Sequence, residues 1–221
     1  MNNCTIRGMV FDMDGVIIDS HPAHRRAWRE FLQSMGRKCS ESELDFILEG
    51  HKREEILRNF LGDLAPEQIR EYGNRKDDML RRLGNNTKPV VGVIDFMASM
   101  KGAGIRTALA TSAGRRRTHG TLSDLGLSRY FDAIVTGDEV AAGKPDPMIY
   151  RLAAERLQED PQHLVAVEDA VAGVKAATEA GMRCLGVAPT RRVEELRAAG
   201  ADPVVPNFIS FSLEQLRLHF R

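Results

Sequence analysis

The chain has 221 residues, 43% of them apolar, enough for one sizeable α/β domain or a core domain carrying a smaller insertion. Its 31 Lys and Arg balance 31 Asp and Glu, which speaks against a nucleic-acid surface or a polybasic membrane patch. Three widely spaced cysteines, Cys4, Cys39 and Cys184, with no CxxC pair, exclude a disulfide framework and a structural zinc site.

Cys4 and Cys184 lie beside apolar runs, where a small buried thiol is the expectation. No continuous apolar stretch of about 18 residues occurs, so no transmembrane helix is expected. The N-terminus, MNNCTIRGMVFDMDG, carries acidic residues where a secretory signal would keep its apolar run. A reducing, cytoplasmic compartment is therefore expected, and with it a monomer that binds neither nucleic acid nor membrane.

Taken in chain order, Ile6 to Phe11 reads as a short buried strand, followed by a tight turn at Gly15. From His24 to about Gly36 the pattern turns helical, with Ala27, Phe31, Leu32 and Met35 on one face. Further helices are expected over Glu41 to Leu48, Arg53 to Leu61 and Pro66 to Leu83, the last opened by Pro66. The stretch from about 24 to 87 thus reads as an all-helical insert.

Beyond it the elements alternate. Val90 to Met100 reads as a turn and helix, Arg106 to Ala110 as a strand, and Thr118 to Leu125 as a helix. Ala133 to Thr136 is a strand. Pro147 to Leu157 is a helix with Met148, Ile149, Leu152 and Ala153 inward. Leu164 to Val167 is a strand, Val171 to Ala180 a small-residue helix ended by Gly181, and Arg183 to Val187 a strand. Strands alternating with helices imply an α/β fold with a mainly parallel sheet covered on both faces. Ligands of such sheets bind beyond the carboxyl ends of the strands.

Four polar clusters follow predicted strands: Asp12/Asp14, Thr111/Ser112, Lys144 and Glu168/Asp169. Asp12 and Asp14 stand two residues apart on extended chain, so both carboxylates can point to one side. Carboxylates that close repel unless a cation or a shared proton intervenes. Asp12 is suited to attack phosphorus and Asp14 to protonate a leaving oxygen and later activate water; an exposed turn with a helix cap is the plainer alternative. Glu168 and Asp169, with Asp12, offer an oxygen-only set that suits magnesium, although alone they would serve to cap the next helix.

The hydroxyl of Thr111 and the backbone N–H groups after it are placed to hold phosphoryl oxygens at a helix start, or simply to cap it. Lys144, in GKPDP, is held by flanking prolines and suited to neutralise a transferring phosphoryl group, or is an ordinary surface lysine. The run Arg115 to Arg117 reads as solvated surface or as a phosphate-facing loop.

The strings FDMDGVIIDS, ALATSA, GKPDPMIY and VEDAVAGVKAATEAGM resemble the four motifs of the haloacid dehalogenase superfamily, over about Arg7 to Val187. The resemblance implies a Rossmann-like core (1–20 plus 89–221) with an inserted helical cap (21–88). It implies Asp12 as nucleophile, Asp14 as general acid and base, and Thr111 and Lys144 as phosphate contacts. Magnesium would be held by Asp12, Glu168, Asp169 and the backbone carbonyl of Asp14. The second aspartate of the first motif separates the chain from the dehalogenase branch itself.

The cap is similar to that of the β-phosphoglucomutase-like branch. His24 and Trp28 match its first cap helix, Gly50-His51-Lys52-Arg53-Glu54 matches a cap string, and Lys76 in NRKDDM matches a cap lysine. In that branch the arginine and lysine grip the phosphate that is not transferred, so the resemblance implies a substrate site of His24, Gly50, Arg53, Lys76, Ser112 and Arg115. Read from the residues alone, Trp28 is packing and His24, Arg53 and Lys76 are ordinary helix residues. Where the mutase carries Ser-Lys-Asn, this chain has Ala113, Gly114 and Arg115; the arginine is the substitute able to grip phosphate in a bidentate way.

This departure favours a magnesium-dependent phosphatase acting on a small sugar phosphate, with a hexose-phosphate mutase as the alternative. A phosphate-binding protein without turnover would be expected to lack one of Asp12, Asp14 or Asp169, and all three are present.

Overall fold

The computed structural model describes residues 6–83, 87–209 and 211–220; Cys4 lies outside them. The first strand, β1 (Gly8–Phe11), is followed by the two-residue β2 (Ile18–Asp19) and by four helices: α1 (His21–Ser34), α2 (Glu41–Phe46), α3 (Arg53–Leu61) and α4 (Pro66–Arg82). Then come β3 (Lys88–Pro89), α5 (Val93–Gly102), β4 (Arg106–Thr111), α6 (Arg115–Asp124), β5 (Ala133–Thr136) and α7 (Met148–Leu157). The chain continues through β6 (Leu164–Glu168), α8 (Val171–Glu179), β7 (Arg183–Val187), α9 (Val193–Ala199), β8 (Val204–Val205) and α10 (Leu213–His219). Among the described residues no helix is long and apolar enough to cross a membrane.

Six strands form one sheet in the order β5-β4-β1-β6-β7-β8, parallel throughout. The expected α/β fold with a parallel sheet is what the chain adopts. β1 lies between β4 and β6, the position at which the order of strands reverses, so the ends of these three face a common crevice. Buried strands of this kind are apolar on both sides. Met9, Phe11, Leu109, Val165 and Val167 face α5 and the C-terminal Phe208, Phe211 and Phe220. Val10, Ala108, Ala110, Leu164 and Ala166 face α7 and α8. Cys184 is buried in that second layer.

α1 to α4 close on a third apolar cluster built from Trp28, Phe31, Leu32, Leu44, Leu57 and Phe60. Trp28 and Phe31 meet edge to face at 5.8 Å, a geometry that aromatic quadrupoles favour. The antiparallel pair β2 and β3 joins this helical layer to the sheet layers.

The helix over 147–157 differs from expectation in its buried face. Ile149, Tyr150, Ala153, Ala154 and Leu157 are buried, a stripe centred near Ala153. Met148 falls off that stripe and is 49% exposed. β2, β3, α9, β8 and α10 have no counterpart among the expected elements, because strands of two residues and helices of seven carry little periodic signal.

Candidate active site

Asp12 immediately follows β1, and its N–H donates to Val167 O at 3.0 Å, so the pairing with β6 runs one residue past the strand. Glu168 ends β6, Thr111 ends β4, and Asp169 precedes α8. Lys144 comes from the segment before α7 and is 1% exposed. Its Nζ donates to Asp12 Oδ1 at 2.6 Å, to Glu168 Oε1 at 2.6 Å and to Ala110 O at 3.1 Å. Tyr150 OH donates to the same Glu168 oxygen at 2.5 Å. The other Glu168 oxygen accepts the N–H groups of Asp169 and Ala170 at 3.1 and 3.4 Å, in the turn that precedes α8.

Gly173 on α8 makes room for this carboxylate, since a Cβ there would stand 1.9 Å from Glu168 Oε1. Gly15, at φ +80°, does the same for Asp169: a Cβ there would meet Asp169 Oδ2 at 2.3 Å.

Burial, and then the carboxylates of Glu168, Asp169 and Asp14, push the Asp12 carboxyl well above its usual pKa against the pull of Lys144. Burial pulls the Lys144 ammonium down, but Asp12 and Glu168 outweigh it and hold the lysine above its ordinary value. Asp169 is also raised, by burial first, against the pull of His21. Asp12, Glu168 and Asp169, all buried, each offer an oxygen within 4.8 Å of the others. His21 Nε2 stands 3.1 Å from Asp169 Oδ2, which otherwise accepts no hydrogen bond. A crowded, oxygen-only set with one unsatisfied oxygen and strained ionisation fits a hard divalent cation.

Asp14 lies opposite, and its environment is reversed. Arg117 donates to its two oxygens at 2.8 and 2.5 Å, and the Ser20 hydroxyl also donates to it. Burial would raise this carboxyl, but Arg117 and then His24 outweigh it and hold Asp14 well below the usual carboxylate range. Because the folded pKa lies below the unfolded one, the Asp14–Arg117 pair stabilises the fold above about pH 4. That stability is lost as pH falls toward the folded value. Arg117→Gln is therefore expected to cost about 3 kcal/mol at pH 7, with the gap to wild type closing below about pH 4. Urea unfolding across pH checks this; parallel profiles would show that Arg117 does not hold Asp14.

In the sequence Arg117 stands only as one of the basic run Arg115 to Arg117. Its signal is its place one turn before the buried Thr121, which becomes readable only once α6 is seen to start at Arg115 rather than Thr118. That earlier start also settles where Arg115 points. Arg115 does not line the cavity: its side chain is 64% exposed and lies 3.6 Å from Glu139, and its N–H is taken by Asp138 at 2.7 Å. Two residues further along a helix the direction is nearly opposite, so Arg117 enters the crevice and Arg115 leaves it.

His24, Gly50, Arg53, Lys76, Thr111 and Ser112 line one cavity with Asp12, Asp14, Glu168 and Asp169, and Lys144 lies buried behind Asp12 and Glu168. Thr111 Oγ1 accepts the Ala113 N–H at 3.1 Å and so shapes the turn before α6. Ser112 Oγ donates to Gly50 O at 2.8 Å, tying the helical layer to the β4 turn. His24 is buried between Asp14 and Lys76, with Nε2 3.6 Å from Asp14 Oδ1 and Nδ1 3.5 Å from Lys76 Nζ. Burial, then Lys76 and Arg117, push its pKa well below the usual imidazole value, so it is neutral at pH 7 and accepts from the ammonium.

Arg53 crosses α4 at Gly73, where a Cβ would stand 2.4 Å from its Cδ. Lys76 Nζ lies 5.2 Å from the centre of the Trp28 ring, a cation–π distance. Trp28 therefore packs, as expected, and also lines the cavity. Ser20, His21, Asp77 and Tyr150, which line or support the cavity, are site residues that the sequence reading does not reach.

A family model described as haloacid dehalogenase-like hydrolase matches residues 6–181. The phosphorylated carbohydrates phosphatase of Thermotoga maritima is 34% identical over 184 residues, covering 82% of this chain and 85% of that protein. The beta-phosphoglucomutase of Mycobacterium bovis is 30% identical over 236 residues, covering 90% of this chain and 89% of that protein. A crystal structure of a mutant CbbY from Rhodobacter sphaeroides in complex with xylulose-(1,5)bisphosphate superposes with a TM-score of 0.84 at 32% identity, covering 96% and 99% of the two chains. With the family model spanning most of its length, the chain belongs to the haloacid dehalogenase-like hydrolases and is an enzyme of that family.

Proposed function

We propose that the protein is a magnesium-dependent phosphatase that hydrolyses a small sugar phosphate through an aspartyl-phosphate on Asp12. The observation that carries this reading is the meeting of Asp12, Glu168 and Asp169 at the adjacent ends of β1 and β6 with Lys144 from the segment before α7, and with Asp14 in the same cavity as the three carboxylates. Magnesium, held by Asp12, Glu168, Asp169 and the Asp14 carbonyl, would offset charge between the attacking carboxylate and the phosphoryl oxygens.

The residues do the rest. Lys144 opposes the protonation that burial favours at Asp12 and adds positive charge beside the incoming phosphoryl group. An Asp12 oxygen forms a bond to phosphorus as the bond to the sugar oxygen breaks. That oxygen keeps the electron pair and takes a proton from Asp14. Asp14 can donate only after taking up a proton, which requires one of its two Arg117 bonds to open. Asp14 then accepts a proton from water as water attacks phosphorus, the bond to Asp12 breaks and phosphate leaves. Thr111 and the turn after it hold the phosphoryl oxygens.

The cavity lies between the helical layer and the strand ends, so closure of that layer over a bound sugar phosphate would exclude bulk water during the reaction.

The test is phosphate release from a panel of sugar monophosphates with magnesium. Rapid release without isomer formation is expected. Chelation by EDTA is expected to remove turnover, and added magnesium to restore it. No release from any sugar phosphate, or release unaffected by EDTA, would overturn the reading. A second reading, a hexose-phosphate mutase, is favoured by Arg53 and Lys76 lining the cavity that also holds Asp12. A 6-phosphate product that depends on a bisphosphate primer would establish it instead.

A further inference from the structure

Arg53 and Lys76 already share an anion, which belongs to the protein. Asp77 Oδ1 lies 3.1 Å from Lys76 Nζ, and Asp77 Oδ2 lies 3.3 Å from Arg53 Nη1. One carboxylate thus bridges two cations, one oxygen to each, as two oxygens of a phosphate would. The side chain of Asp77 is 11% exposed and lines the same cavity as Asp12. Neighbouring helix residues normally diverge, yet here Lys76 and Asp77 meet through their side chains.

We propose that Asp77 sets the specificity of this site by filling the anion position beside Lys76 and Arg53 with its own carboxylate. The substrate then carries one phosphate, the transferred one, and an uncharged, hydroxyl-bearing far end. This rests on the phosphatase reading and deepens it.

Lys76 is 4% exposed, and an ammonium that buried requires a nearby anion. Asp77 supplies it before any substrate arrives. A second phosphate on the substrate would meet that carboxylate at close range, in a place where salt screens poorly. Sugar hydroxyls meet no such opposition: they can donate to Asp77 and accept from Arg53 and Lys76. Burial would raise the Asp77 carboxyl, but Lys76 and then Arg117 hold it below its usual value, so the negative charge persists at neutral pH. By contrast, a mutant of a structural neighbour, CbbY, was crystallised with a sugar bisphosphate.

The test compares wild type, Asp77→Asn and Asp77→Glu on matched pairs: a hexose 1-phosphate or 6-phosphate against its 1,6-bisphosphate, and a pentulose 1-phosphate against its 1,5-bisphosphate. Wild type is expected to prefer the monophosphates. In Asp77→Asn the ratio of bisphosphate to monophosphate kcat/KM is expected to rise by about tenfold or more, mainly through KM. Asp77→Glu, which keeps the charge, is expected to stay close to the wild-type ratio.

A second arm does not depend on turnover. Calorimetry of the 1,6-bisphosphate on Asp12→Asn and on Asp12→Asn/Asp77→Asn should show about tenfold or more tighter binding to the double variant. Wild type that takes bisphosphates as readily as monophosphates, or affinities and ratios unmoved by Asp77→Asn, would overturn the proposal. Absence of turnover on every phosphate would sink the phosphatase reading alone, and the calorimetric arm would still decide the role of Asp77.

Discussion

Asp12→Asn is expected to lower kcat for the best sugar phosphate by about 10⁴-fold or more, while the protein stays folded. An amide oxygen is a far weaker nucleophile than a carboxylate, and the neighbouring Glu168 and Asp14 are held by other partners. Glu168 is committed to Lys144, Tyr150 and two backbone N–H groups. Asp14 is clamped by Arg117. The fold should tolerate the change because Asp12 is one of several crowded carboxylates whose ionisation burial and mutual repulsion oppose. Lys144 keeps Glu168 as its counter-ion. Steady-state phosphate release and a thermal melt on the same preparation check both halves. A variant that retained turnover within tenfold would remove Asp12 from the role of nucleophile.

Lys144→Met is expected to damage both stability and rate. Lys144 and Glu168 are each 1% exposed, and removing one partner of a buried pair costs about 3–5 kcal/mol, because the other charge is left uncompensated. In a chain of this size that corresponds to a fall in Tm of roughly 6–20 °C. Methionine fills most of the volume, so the loss would report charge rather than a cavity. Turnover should drop by about 10²–10³-fold as positive charge leaves the phosphoryl site. Magnesium is expected to restore part of the lost stability, since it offsets the same carboxylates. Calorimetric melts with and without magnesium read this directly. A variant as stable as wild type in EDTA would mean that Lys144 does not balance Asp12 and Glu168.

Much of this architecture was legible in the residues. The runs GMVF, RTALAT and LVAVE are too apolar and too short for anything but buried strands. Each ends in or is followed by a polar residue that the parallel order brings to one edge. Asp12, Thr111 and Glu168 could therefore be grouped before any coordinates, and the helices over 53–61 and 66–82 follow from their apolar period and from Pro66. What could not be read depends on rotation or on contact between distant segments. The start of α6 at Arg115 rather than Thr118 decides which of three consecutive arginines reaches Asp14. The reach of Tyr150 to Glu168 depends on how α7 lies against β6. Asp77 looked like one more acidic residue on a polar helix, and only its meeting with Arg53, 24 residues earlier, gives it a role.

In this mechanism the phosphoryl group passes through Asp12. The most direct measurement is acid quenching of the enzyme during turnover of a labelled sugar phosphate with magnesium, followed by peptide mapping by mass spectrometry. The expected result is one phosphoryl group on the peptide that contains Asp12, formed within the first turnover and absent from Asp12→Asn. A phosphoryl group on another residue would contradict it, as would direct water attack, shown by inversion at phosphorus when a chiral thiophosphate monoester is hydrolysed in isotopically labelled water.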